Sequence, residues 1–309
     1  MTADFGAAGP GSPHQPVLYQ EIIHALRPTG EGSYVDCTVG AGGHAFGILE
    51  ASSPDGRLLG LDRDKEALRR AADRLQGFQD RCWLVHSSYT TLPDQLKKLG
   101  WESINGILFD LGMSSIQVDD PGRGFSFRQE GPLDMRFDPG ADLKAADLVN
   151  NLPADELANL IYEYGEERKS RQIAAAIVRN RPVESTTQLA DIIRRATGRR
   201  RLKIHPATRT FQALRIAVNS ELEALEDTLP QAIQALAPGG RIAVISFHSR
   251  EDRIVKRTFQ REGRDCICPT GQPSCTCGHV ASLRPVTRKP LSPKDEEVRN
   301  NPRARSAKL

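Results

Sequence analysis

Five short apolar runs, each ending near a polar residue, recur along the chain: Tyr34–Thr38, Leu58–Asp62, Cys82–His86, Asn105–Asp110 and, much later, Arg241–Phe247. Unbroken rather than alternating hydrophobicity is what strands covered on both faces require, as in a parallel sheet. Between the second and third runs the period lengthens. Leu68, Ala71, Ala72 and Leu75 fall at i, i+3, i+4 and i+7 within Asp64–Gln76, which predicts one apolar helix face, with Gly77 as a stop. The alternation predicts a doubly wound α/β domain whose ligands bind at the carboxyl ends of the strands, near the point where strand order reverses. Asp36, Asp62 and Asp110 occupy such ends.

The alternation breaks between Asp110 and Arg241, where the pattern is helical: Pro153–Tyr164, Arg168–Arg179, Thr187–Ala196 and a longer helix from about Asn219 to Leu236, closed by Pro238-Gly239-Gly240. This predicts a small helical domain at 140–215 inserted in a core formed by 14–139 and 216–309. After Phe247, Ser249–Arg261 reads as a helix. Val286–Leu291 and Arg303–Leu309 read as an antiparallel edge pair, while 1–13 and 263–282 carry no regular pattern.

Composition adds limits. With 309 residues and 39% hydrophobic content the chain can bury one large core and a smaller one. A net charge of +3 does not by itself mark a nucleic-acid binder, so the placement of charge decides. Arg194, Arg195, Arg199, Arg200, Arg201, Lys203, Arg209 and Arg215 follow one another without an acidic residue between them, a pattern suited to a phosphate backbone. No apolar run approaches a membrane span, and Met1–Pro16 lacks the features of a signal peptide, so the expected location is cytoplasmic. Cys37 and Cys82 read as buried hydrophobes; Cys266, Cys268, Cys275 and Cys277, with His279, cluster late. The pattern leaves a tetrahedral zinc site and a reduced Pro/Gly-rich loop both open, because Cys-x-Cys is tighter than the usual knuckle spacing. No metal is assigned from it.

The chemistry concentrates at Asp36-Cys37-Thr38-Val39-Gly40-Ala41-Gly42-Gly43-His44, a strand-to-helix turn, with Asp62 closing the next strand where a cofactor ribose would lie. The glycines also fit a dinucleotide pattern, which makes an NAD-linked oxidoreductase the alternative. A carboxylate at Asp36 opposes a pyrophosphate and suits the cationic end of S-adenosylmethionine, with the glycines serving close backbone approach. Asp110 leaves its strand through Gly112 towards Ser114 and Ser115, and either orients an acceptor amine, caps a helix or binds the cofactor. His248, after the fifth strand, is a candidate proton acceptor or a helix-entry histidine. Tyr89 could stack on an adenine or pack internally. The loop Arg123-Gly-Phe125-Ser-Phe127-Arg128 either stacks single-stranded RNA or buries its aromatics beside a turn.

Taken in order, His14-Gln-Pro-Val-Leu, Gly42-Gly43-His44, Leu61-Asp62-Arg63-Asp64, Asp110-Leu-Gly, Gly124-Phe-Ser-Phe, Gly131-Pro-Leu-Asp-Met-Arg136, His205-Pro-Ala-Thr-Arg-Thr-Phe-Gln-Ala-Leu214, Ser246-Phe-His-Ser249, Glu251-Asp-Arg253 and Asn301-Pro-Arg-Ala-Arg305 make the chain resemble a family. That family is the bacterial methyltransferases acting on the N4 amine of a cytidine in the decoding region of small-subunit (16S) ribosomal RNA. The resemblance implies a Rossmann-like methyltransferase sheet with a helical insertion for substrate recognition, S-adenosyl-L-methionine as cofactor, and 16S rRNA or the small ribosomal subunit as partner. It implies cofactor contacts at Gly42, Gly43, His44, Asp62, Tyr89, Asp110 and Gln117, while the catalytic candidates, read from their places at strand ends, are Asp110 and His248. Three departures stand out. Ile116 replaces a common proline, Asp110-Leu-Gly-Met113 replaces the Asp/Asn-Pro-Pro-Tyr/Phe tetrad of many amine methyltransferases, and the sequence ends at Leu309, so an incomplete edge strand is expected. A non-catalytic RNA-binding assembly factor is the third reading.

Overall fold

The computed structural model describes residues 16–198, 204–272 and 274–309. His14 and Gln15, and Arg199, Arg200, Arg201 and Lys203 of the basic stretch, lie outside the described residues. In chain order the elements are α1 (Tyr19–Leu26), β1 (Ser33–Asp36), α2 (Gly43–Ala51), β2 (Arg57–Asp62), α3 (Lys65–Arg74), β3 (Cys82–His86), α4 (Leu92–Leu99) and β4 (Ile104–Asp110). Then come α5 (Ser115–Asp119), α6 (Ala145–Asn151), α7 (Ala154–Gly165), α8 (Ser170–Arg179), α9 (Thr186–Thr197), α10 (Thr208–Asn219) and α11 (Glu221–Gln234). β5 (Leu236–Ile245), α12 (Ser249–Glu262) and α13 (Asp295–Asn300) complete the chain. Among the described residues no helix is long and apolar enough to cross a membrane.

The strands form one sheet of order β3-β2-β1-β4-β5, every neighbouring pair parallel. Tyr34, Leu58, Leu108 and Ile245 are buried with Ile48 and Leu49 of α2, which is why these strands are apolar without alternation. On α3 the buried face is Ala67, Ala71 and, at its end, Leu75, with Ala72 turned to solvent in place of the predicted contact. Asp64 starts that helix, its carboxylate accepting the Glu66 N–H at 3.0 Å.

Two compact units result, one of Met1–Gly112 with Leu225–Leu309, the other Met113–Ala224, the division falling within α11. The second unit starts before and ends after the 140–215 interval read from helix periodicity. Phe125, Leu133 and Met135 lie in its core beside Ile161, Ile177 and Leu214, although 120–140 shows no helical period. Asn219 ties that irregular segment down: its side chain donates to the Met135 carbonyl at 2.7 Å and accepts the Phe137 N–H at 2.7 Å.

The predicted edge pair near the C-terminus is not a pair of strands. Val286 is 66% exposed and so has no face to bury. The acidic Asp295-Glu296-Glu297 run opens α13 instead. What remains is single bridges: Lys308 exchanges both backbone hydrogen bonds with Ser246, and Leu309 both with Leu291, all at 2.9 Å.

Candidate active site

β1 stops short of its neighbours. Asp36 is in register with Gly60 of β2 and Leu108 of β4, so each flanking strand runs two residues further, to Asp62 and Asp110. The chain after β1 fills the resulting notch and is bound on both sides. Cys37 N–H donates to the Leu108 carbonyl and Val39 N–H to the Leu61 carbonyl, each at 2.9 Å. Beyond them, Gly40 N–H donates to Asp62 Oδ2 at 2.8 Å, and Asp110 N–H donates to Thr38 Oγ1 at 2.7 Å. Gly40 and Gly42 take left-handed φ of 51° and 78° to make this turn. A Cβ on Gly42 would press on Ala71 Cα at 3.3 Å and one on Gly43 on Pro16 at 2.5 Å, so these two glycines serve internal packing. Gly40 differs: a Cβ there would meet only Thr38 O at 3.8 Å, leaving the outer face of the turn open for close approach.

Three carboxylates and one imidazole line this notch. Asp36 is buried beneath the turn, 1% exposed, accepting the Thr38 N–H at 3.1 Å. Burial pushes its carboxyl up to about 7, against the opposing pull of His44 and the Thr38 hydrogen bond, with Asp110 and Asp62 adding repulsion. Asp36 is therefore not a fully formed anion at neutral pH, unlike the fixed charge assumed from sequence. Asp62 keeps part of its surface open while walled in elsewhere; desolvation raises it to about 6 although the Asp64, Gly40 and Arg63 backbone donors stabilise its charge. His44, 5% exposed, stacks on Tyr19 with centroids 6.1 Å apart and points Nε2 at Asp110 Oδ2 across 3.6 Å. Among the described residues neither His44 nitrogen has a hydrogen-bond partner, and Asp110 Oδ1 has none. Buried polar atoms left unsatisfied beside an open turn are what a polar ligand would complete. A groove of about 530 Å³ between α4 and the end of α11 shares none of these residues.

Other predicted residues fare differently. Asp110 does not cap a helix; only its backbone is engaged in the turn. Tyr89, partly buried past β3, packs edge-on against Phe109 with centroids 5.5 Å apart. Gln117 belongs to the second unit, where it is 4% exposed and closes a capping box: its Oε1 accepts the Ser114 N–H at 3.0 Å and its N–H donates to Ser114 Oγ at 3.3 Å. Ser114 is thus a cap. His248 caps α12, Nδ1 accepting the Glu251 N–H at 3.4 Å, with Nε2 3.0 Å from Glu251 Oε1.

The RNA-facing expectations are narrowed. Phe127 stacks on His205 at 4.6 Å and meets Phe211 edge-on at 4.9 Å, while Phe125 stacks on Phe137 at 5.7 Å, so this loop's aromatics are packed inside the second unit. Arg215 is not a phosphate contact: buried, it pairs two-fold with Glu221 at 2.8 and 2.9 Å. Arg194 pairs with Asp191 at 2.9 Å on the surface of α9. Sequence reasoning gave no role to Thr38 or Glu251, the latter a 2%-exposed carboxylate accepting the Phe247 and His248 N–H groups at 2.7 and 3.2 Å, while the close backbone approach read from the glycines falls to Gly40. A hydroxyl two residues past a strand-end aspartate was the available signal for Thr38.

A model of the MraW methylase family matches residues 11–309. Proteins named ribosomal RNA small subunit methyltransferase H are similar over nearly the whole chain. That of Dehalococcoides mccartyi is 52% identical over 297 residues, 96% of this chain and 85% of its own length. That of Thermomicrobium roseum is 50% identical over 299 residues, 96% of this chain and 92% of its own. That of Symbiobacterium thermophilum is 52% identical over 301 residues, 96% of this chain and 95% of its own. With strand-end carboxylates around an open glycine turn and matches of this extent, the chain belongs to the MraW methylase family.

Proposed function

We propose that the protein methylates the N4 amine of a cytidine in the decoding region of small-subunit ribosomal RNA, in the cytoplasm, with S-adenosyl-L-methionine as donor. The observation that carries this reading is the notch itself, in which three acidic side chains at adjacent strand ends surround a glycine turn whose outer face is open at Gly40. The names of the relatives supply the substrate class.

The residues present fit the cofactor. The unsatisfied His44 nitrogens, the open face of Gly40 and the partly open Asp62 are a donor and acceptor set for a polar cationic ligand. S-adenosyl-L-methionine supplies, when bound, a methyl group activated on a cationic sulfur. Asp62 holds the ribose hydroxyls, and the 40–43 turn and His44 approach the amino-acid end. Asp36 acts from beneath: a cation above the turn favours its ionised form, so it releases a proton as ligand enters. Tyr89 borders the adenine position.

Asp110 accepts a hydrogen bond from the exocyclic amine and draws its lone pair out of conjugation with the ring. As the N–C bond formed and the donor's S–C bond broke, with the sulfur leaving as a neutral thioether, the amine proton would pass to the Asp110 carboxylate, and the neighbouring His44 would steady that group. Catalysis of this kind is mostly alignment of nucleophile and methyl carbon. His248, bound to Glu251, positions the start of α12.

The test is incubation of the protein with methyl-labelled donor and small-subunit RNA, followed by nucleoside analysis. Label in N4-methylcytidine is the expected result. Tight RNA binding without label would return the protein to assembly factors, and calorimetric heat with NAD but none with the sulfonium compound would return it to the oxidoreductases.

A further inference from the structure

After α12 the chain enters a stretch with no core of its own. From Cys266 to Val280 none of the described residues is buried, and Ile267 and Val280 are 38% and 73% exposed. Its far end still returns to the helix it left, with the Ser282 and Leu283 N–H groups donating to the Glu262 carbonyl at 2.8 and 3.0 Å. A loop that closes on itself without burying apolar surface needs another constraint.

Its four thiols converge. The Sγ atoms of Cys266, Cys268, Cys275 and Cys277 all lie within 4.8 Å of one another, with Cys268–Cys275 at 4.0 Å, Cys275–Cys277 at 3.5 Å and Cys266–Cys277 at 3.9 Å. Disulfide sulfurs would stand at about 2.05 Å. Four sulfurs at tetrahedral corners about 2.3 Å from a zinc ion stand about 3.8 Å apart, the spacing seen here. Backbone donors point at the sulfurs: Ile267 N–H to Cys277 at 3.4 Å, Cys268 N–H to Cys266 at 3.4 Å and Thr276 N–H to Cys268 at 3.5 Å. Such bonds offset the excess negative charge of four thiolates around a dication. His279 stands apart from the set, its Nε2 3.0 Å from the Arg261 carbonyl at the end of α12.

We propose that Cys266, Cys268, Cys275 and Cys277 bind one structural Zn²⁺ as a closed four-thiolate site that holds the 266–277 loop to the end of α12. The Cys-x-Cys spacing, tighter than the usual knuckle, works because one pair's backbone amides reach the other pair's sulfurs. No open coordination position is left, so the ion takes no part in methyl transfer.

The test is elemental analysis of the full chain purified under reducing conditions without chelator, with one zinc per chain expected and no iron. Cobalt(II) added to the reduced, metal-stripped protein should give thiolate-to-cobalt absorption and tetrahedral ligand-field bands. Competition with a chromophoric chelator should place the zinc Kd below about 100 nM. Cys268→Ser with Cys277→Ser should abolish zinc uptake and open 264–283 to protease, while Cys37→Ser should leave zinc content unchanged. Stoichiometric iron, zinc retained by the double variant, or failure of the reduced wild-type chain to protect four thiols on zinc addition would each overturn the proposal; the last needs no variant to fold.

Discussion

At the strand ends, Asp36, Asp62 and Asp110 are gathered by the sheet; in the 266–277 loop, four thiols are gathered with no sheet or core beneath them. Both are groups of potential anions facing a common centre. In the first, strand register and the bonded turn hold the carboxyls in place whether or not a ligand is present, and the cost of burying them appears as raised Asp36 and Asp62 carboxyls. The second has no such scaffold, so its cation must itself be the constraint. Neutralising a ligand should therefore have opposite effects in the two places, stabilising the ligand-free sheet and loosening the loop.

The largest effect expected at the strand ends is on rate. Asp110→Asn should lower turnover by about 10²–10³-fold, in single-turnover methylation, with cofactor affinity by calorimetry little changed, because the turn is tied to Asp110 through its backbone. Equal loss of both would make Asp110 a binding residue.

Asp36→Asn tests the cost of burying that carboxyl. The folded carboxyl stands at about 7, against about 3.9 in an unfolded chain. Between those values the folded state binds more protons, so stability declines as pH rises from about 4 to about 7 and is level above. The asparagine variant lacks that decline and should be more stable than wild type at pH 8 by roughly 2–4 kcal/mol in urea unfolding, while binding cofactor more weakly. A variant no more stable at pH 8 would remove the contrast between the two clusters.

Asp62→Ala should weaken cofactor binding by about 10–100-fold in calorimetry, and binding to wild type should tighten from pH 6 to 8 as Asp62 and Asp36 ionise. Affinity independent of pH would take both groups out of the site. The smallest effect is at His248, where alanine should cost about 1 kcal/mol of stability as a lost cap, with turnover nearly intact; a loss of turnover far beyond that would make it a proton acceptor.

The sheet was legible because each of its strands is a short apolar run closed by a polar residue, and three of those residues are the carboxylates of the site. Less legible were features set by tertiary pairing. β5 begins at Leu236 and passes through Pro238-Gly239-Gly240, with a register shift opposite Ile104 and Gly106 that no local pattern announces. The second unit recruits Phe125, Leu133 and Met135 from a stretch without period, held by Asn219 more than 80 positions away. Arg215 reads as one more cation in a basic run because Glu221, which neutralises it, lies beyond the run's end. Thr38 is an unremarked hydroxyl until the fold sets β4 beside it.

Because β1 ends early, Asp62 and Asp110 belong to strands separated by one intervening strand, about 10 Å at the usual spacing. The sheet thus works as a gauge. A molecule the size of an amino acid can engage one of these side chains and leave the other idle, whereas one of nucleoside length can reach both, so ligand selection is written into where a strand was allowed to stop.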